Sequence, residues 1–139
     1  MSFVLDASVT MRWFFEDGSR SDRDYSDAVL KKMKNTKVSV PVTWGLELAN
    51  ALARAEKRLK ATANRIDAFI ERLQRMDVLV DDATFVFALS DTLHLARKYT
   101  LSSYDASYLE LALRLDLPLA TLDDNLRKAA KKAGVKDVA

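Results

Sequence analysis

Short apolar runs alternate along the chain with longer stretches in which apolar residues recur every three or four positions. The short runs are Phe3 to Leu5, Val38 to Val40, Val78 to Val80 and Leu119 to Thr121. Runs of that length fit strands buried on both faces of a parallel sheet. Between them the spacing predicts helices over 8–15, 22–34, 43–60, a turn at Ala61-Thr62 and a second arm through Arg75, then 83–98, 102–115 and 123–133. Glu16 to Ser19 reads as a polar loop, and Val135 to Val138 as a further edge strand. The helix from Thr43 carries Leu46, Ala49, Leu52 and Ala53 on its apolar side, and the one from Ala83 carries Phe85, Val86, Leu89 and Leu93. Strands alternating with helices imply an α/β fold, a three-layer sandwich around a parallel sheet of four or five strands. No repeat, linker or low-complexity tract divides it, so residues 1–139 read as one domain.

Composition narrows the chemistry. The chain has no Cys and a single His, His94, which excludes disulfides, zinc–thiolate sites and thiol nucleophiles. A multi-histidine metal site is excluded on the same ground. No run of 18 apolar residues exists to span a membrane. Asp6 interrupts what would be the apolar region of a signal peptide, so the expected compartment is the cytoplasm. Charge is nearly balanced, with 22 cations against 20 anions. Setting four acids aside in one pocket leaves 22 cations against 16 anions elsewhere, a surface suited to an anionic polymer.

Four acids fall where such a sheet gathers ligands, beyond the carboxyl ends of its strands. Asp6 follows the first strand, Glu47 lies early in the helix after the second, Asp105 starts the helix from Ser102, and Asp123 follows the fourth strand. Clustered carboxylates repel one another unless a cation neutralises them, which argues for a bound metal. Oxygen-only ligands favour Mg²⁺ or Mn²⁺ over zinc. Each acid also has a capping alternative. Ser102-x-x-Asp105 and Thr121-x-x-Asp124 match the capping-box pattern, and acids near helix starts complement the dipole. On this reading Asp124 is the cap and Asp123 the inward-facing acid. Asp81-Asp82 is assigned to a turn and helix start, and Glu110 either to the pocket margin or to solvent. Trp13, Phe14 and Phe15 are assigned to core packing or a dimer contact rather than base stacking.

Four segments taken together resemble the PIN-domain ribonucleases, and most of all the VapC toxins of toxin–antitoxin pairs. They are Asp6-Ala-Ser-Val, Trp44-x-x-Glu47-x-x-Asn50-Ala-Leu, Leu101-Ser-Ser-Tyr-Asp105-Ala-Ser-Tyr and Leu119-Ala-Thr-Leu-Asp123. The resemblance implies that Asp6, Glu47, Asp105 and Asp123 form an acidic metal-binding and catalytic set, with Ser8 and Thr121 as supporting hydroxyls. It further implies Mg²⁺- or Mn²⁺-dependent endonucleolytic cleavage of RNA, a VapB-like antitoxin as partner, and a homodimer. Apolar surface at Phe14, Phe15 or the Ile66–Leu73 helix would serve one of those interfaces. The competing reading is a catalytically silent PIN-like module whose acidic groove captures a basic peptide. Phosphotransfer on an aspartate is disfavoured, because Ser8 stands where the phosphatase motif wants its second Asp.

Overall fold

A computed structural model describes residues 2–15 and 17–139; Glu16 of the polar loop lies outside them. The described elements are β1 (Phe3–Leu5), α1 (Ala7–Phe14), α2 (Arg20–Met33), β2 (Val38–Val40), α3 (Thr43–Lys57), α4 (Ala63–Gln74) and β3 (Val78–Val80). They continue with α5 (Thr84–Phe87), a π-helical turn (Ala88–Thr92), α6 (Leu93–Tyr99), α7 (Ser103–Leu115), β4 (Leu119–Ala120) and α8 (Asp124–Lys132). The strands form one parallel sheet in the order β3-β2-β1-β4. Parallel neighbours need crossover helices, and these lie on both faces, giving the expected three layers. The tail contributes only a single bridge, Leu119 to Asp137, where a fifth strand was expected.

The strand residues sort by face. Val4 and Leu119 pack against Leu109, Leu111 and Leu126 of α7 and α8. Phe3, Leu5, Val38, Val40 and Ala120 point the other way, onto Val9, Val29 and Met33 of α1 and α2. A third cluster joins α1 to the α3–α4 hairpin through Phe14, Leu48, Leu52 and Phe69. Phe14 is therefore core, as the sequence suggested, and the Trp13 indole donates to the Ser26 carbonyl at 2.9 Å. Helix α7 is buried at every position from Ala106 to Ala112, and it runs the length of the sheet face beneath the site. Among the described residues no helix is long and apolar enough to cross a membrane.

Two predicted apolar stripes face outward instead. On α3 the buried side is Leu48, Leu52 and Ala55, while Leu46 is 71% exposed. The expected helix over 83–98 forms as a continuous stretch with a π turn inside it, and Phe85, Val86 and Leu89 stand in solvent. Periodicity identifies an apolar face, but it does not say that the same chain covers it.

A partly buried ion cluster holds this region to α7. The Arg114 guanidinium donates to both oxygens of Asp81 (3.0 and 2.7 Å) and to both of Glu110 (2.7 and 3.1 Å). It also lies 4.5 Å from the Phe87 ring centroid. Glu110, placed by sequence at the pocket margin or in solvent, is buried against Arg114, and Asp81 serves this pairing as well as its turn. Hydrogen bonds from Arg114 hold the Asp81 carboxyl below the usual carboxylate range. Arg114→Ala would leave two carboxylates without a counter-charge. A buried pair broken on one side costs about 3–5 kcal/mol, and the guanidinium's partial exposure lowers that toward about 2 kcal/mol. Urea unfolding should show this loss as a lower midpoint with an unchanged slope; an unchanged midpoint contradicts a structural role for the cluster.

Candidate functional site

Strand order reverses direction beside β1: the chain proceeds from β1 through β2 to β3, then returns to place β4 on β1's other side. The crevice at such a switch point is where open α/β sheets bind ligands. Asp6 leaves β1 there and Thr121 to Asp123 leave β4. The two ends are joined by the Asp6 amide, which donates to the Ala120 carbonyl at 3.0 Å.

Asp6 occupies the N-cap position of α1, yet its carboxylate does no capping. Its Oδ2 instead accepts from the Ser8 hydroxyl at 2.6 Å and the Thr121 hydroxyl at 2.7 Å. Each hydroxyl in turn accepts a backbone amide, Leu122 on Ser8 (3.0 Å) and Asp123 on Thr121 (3.1 Å). A carboxylate 3% exposed is thus fixed between two strand ends by groups that carry no charge. Burial raises its pKa; the two hydroxyls oppose the rise, and the charge of Asp123 adds to it.

Glu47 reaches the same place from the second turn of α3. Its Oε1 accepts from the Tyr108 hydroxyl at 2.8 Å. Burial first, then the charges of Asp6 and Asp105, push Glu47 up to about 7. Asp105 sits in the first turn of α7, where Ser102 caps the helix by accepting the Asp105 amide at 3.1 Å. Burial, then the charges of Asp123 and Asp6, push Asp105 up to about 6. That mutual influence places all four acids at one crevice. Asp123 differs from expectation in one respect. It is itself the N-cap of α8, with Oδ1 accepting the Leu126 amide at 2.8 Å, and Asp124 is not the cap. The Thr121 capping box does not form because α8 begins two residues later, at the Asp123 cap; the Thr121 hydroxyl accepts the Asp123 amide while donating to Asp6.

None of the four acids meets a Lys or Arg in an ion pair among the described residues. The hydroxyls of Ser8, Thr121 and Tyr108 orient carboxylates without neutralising them. An all-oxygen acidic set of this kind suits a hard divalent cation. As they stand, no three of these side chains close on a point where an ion would be held, among the described residues.

Tyr108, which lies in the Asp105 segment but was given no role from sequence, is the direct partner of Glu47. The available signal was its position three residues after Asp105, which sets both on one helix face. Trp44, three residues before Glu47, packs inward, its indole donating to the Thr10 hydroxyl at 3.3 Å. His94 is exposed on α6.

The raised carboxyls set the sign of a pH dependence. Glu47 and Asp105 hold protons more tightly folded than unfolded, so their stability contribution is lost as pH rises through about 6 and about 7. Without divalent metal, the melting temperature should fall between about pH 4 and about pH 7, and Asp105→Asn should flatten the fall. A melting temperature that rises or stays level in the parent chain contradicts the clustering.

Comparison with known proteins agrees with this architecture. The PIN domain family model matches residues 3–132. Ribonuclease VapC3 of Mycobacterium tuberculosis, in two strains, is 29% identical over 126 residues, covering 91% of this chain and 85% of the relative. The crystal structure of PAE2754 from Pyrobaculum aerophilum superposes with a TM-score of 0.67 at 26% identity, over 99% of this chain and 84% of the other. FitAcB from Neisseria gonorrhoeae gives 0.63 at 17% identity, over 100% and 97%, a likeness of fold alone. The chain belongs to the PIN domain family, and its sequence is VapC-like.

Proposed function

We propose that the protein is a Mg²⁺-dependent endoribonuclease, with Mn²⁺ as a substitute, that hydrolyses RNA phosphodiester bonds. The observation that carries this reading is the convergence at the sheet's switch point of four carboxylates with no ion-pair partner among the described residues. The 29% identity to a protein named a ribonuclease supports the choice of substrate. Asp6, Glu47, Asp105 and Asp123 would hold the ion.

When bound, a divalent ion supplies Lewis acidity: it activates water and offsets charge on the scissile phosphate. The protein's own contribution is preorganisation. Ser8 and Thr121 fix the Asp6 carboxylate, Tyr108 fixes Glu47, and the α7 and α8 caps fix the backbones of Asp105 and Asp123. Because Glu47 and Asp105 are protonatable near neutrality, metal uptake should release protons.

The VapC-like sequence further supports a role as the toxin of a toxin–antitoxin pair, held inactive by a VapB-like antitoxin whose basic segment enters the acidic crevice. The same reading makes the chain a homodimer. Phe14, Ile66 and Phe69, considered for that interface, are buried in the chain's own core. The uncovered apolar surface lies elsewhere. Phe85 and Leu89 are 87% and 86% exposed, and Val42 and Leu46 adjoin them through the Val42 amide's bond to Thr84. We assign the dimer contact to this face.

Two measurements test the proposal. Asp6→Asn and Asp105→Asn should each lower RNA cleavage by about 100-fold or more, with circular dichroism unchanged; full activity in both folded variants overturns the assignment. Leu89→Asp should convert a dimer to a monomer in sedimentation velocity, and a variant that stays dimeric removes this face from the interface.

A further inference from the structure

Helix α3 carries more than Glu47. At 3.6 residues per turn, Arg54 and Arg58 project within about 20° of the direction in which Glu47 projects. They follow it along the axis by about 10 Å and about 16 Å. Both are exposed, and among the described residues neither enters an ion pair. The stripe runs into the tip of the α3–α4 hairpin, where Lys57, Lys60 and Arg65 are exposed as well. Residues 54–65 hold five cations and one anion, while the rest of the chain has 17 cations against 19 anions. The hairpin is thus one of two strongly basic segments, the other being residues 127–136 of α8 and the tail, with five cations and no anion. Leu59 ends the helix in the left-handed region (φ 57°), where glycine is the usual residue, and its side chain is 93% exposed. The tip thus presents one apolar side chain among its cations.

Resting on the ribonuclease reading above, we propose that the Glu47 flank of α3 is the RNA track, with Arg54 and Arg58 binding successive phosphates on one side of the scissile bond. Charge complementarity selects the occupant. An acidic crevice alone repels a polyanion, and a line of guanidinium groups leading out of it supplies attraction at a fixed direction. Arginine forks suit phosphate oxygens, and contacts of this kind set position rather than base preference. Of the other basic clusters, the one on α8 has Arg127 engaged by the Thr121 carbonyl, Asp137 and the Tyr25 ring, with Lys131 and Lys132 in the helix's last turn. The one at the end of α2 has no such alignment with a site acid. Lys31 and Lys34 there complement the helix dipole, and Lys32 is tied to the Val138 carbonyl.

The test is fluorescence anisotropy of a labelled single-stranded oligouridylate with protein carrying Asp6→Asn, so that the RNA survives, over a range of NaCl. Each single-strand phosphate contact contributes about 0.7 to the slope of log affinity against log salt. Adding Arg54→Gln and Arg58→Gln should lower that slope by about 1.4 and weaken binding at low salt. Arg54→Lys with Arg58→Lys should retain most of the slope, and Lys31→Gln with Lys34→Gln should leave it unchanged. Manganese affinity of the Arg54→Gln/Arg58→Gln chain with Asp6 intact should match the parent, which separates loss of the track from damage to the site. RNA binding with an unaltered slope in the Gln variants overturns the track and leaves the nuclease reading standing. Absence of RNA binding by the parent and Asp6→Asn chains alike overturns both.

Discussion

Electrostatic repulsion among four carboxylates is the constraint around which this chain is built. Burial and proximity disfavour the charged forms of Asp6, Glu47 and Asp105, and among the described residues none of the four acids is in an ion pair with a lysine or arginine. A fold tolerates such a cost when its scaffold holds the acids regardless. Here β1 and β4, adjacent and parallel, deliver Asp6 and Asp123 to the same edge, and α3 and α7 bring Glu47 and Asp105 to meet them. The backbone bond from Asp6 to Ala120 makes the gap between β1 and β4 a fixed feature of the sheet.

The same protein shows how it treats acids it means to neutralise. Asp81 and Glu110 are also shielded from water, and Arg114 answers both with four hydrogen bonds. Glu110 and Asp105 lie on the same helix, about a turn and a half apart, in opposite electrostatic situations. Hydroxyl partners at one end and a guanidinium at the other separate a set of carboxylates left open to a cation from a structural clasp. That contrast, more than the number of acids, supports the proposed metal site.

Much of this was legible in the residues. Short, mostly apolar runs located every strand, and the alternation of strands with helices gave the layered sheet; β1, β2 and β4 are buried as such runs imply, while Leu79 and Val80 of β3 are half exposed. The convergence of Asp6, Glu47, Asp105 and Asp123 followed from counting which acids come just after strands or start the helices that follow. What periodicity could not supply was the fate of each face. Leu46 and Leu89 read as core, since a sequence pattern cannot distinguish a surface covered by the chain from one left uncovered. Asp123 read as free and Asp124 as the cap, because neighbouring acids differ only by backbone angles that tertiary contacts decide. Tyr108 was invisible as a partner of Glu47 because its pairing spans 61 residues. The tail's expected strand shrank to one bridge, with Asp137 drawn into contact with Tyr25 and Arg127 instead.

The central claim is that the four carboxylates are a cation site rather than a set of helix caps. Titrating the purified protein with Mn²⁺, read by calorimetry or water-proton relaxation, addresses it without knowledge of the RNA. The account expects saturable binding in the parent chain that Asp6→Asn and Asp105→Asn each weaken by about tenfold or more. Absence of binding to the folded parent chain, or binding that both substitutions leave intact, would contradict it.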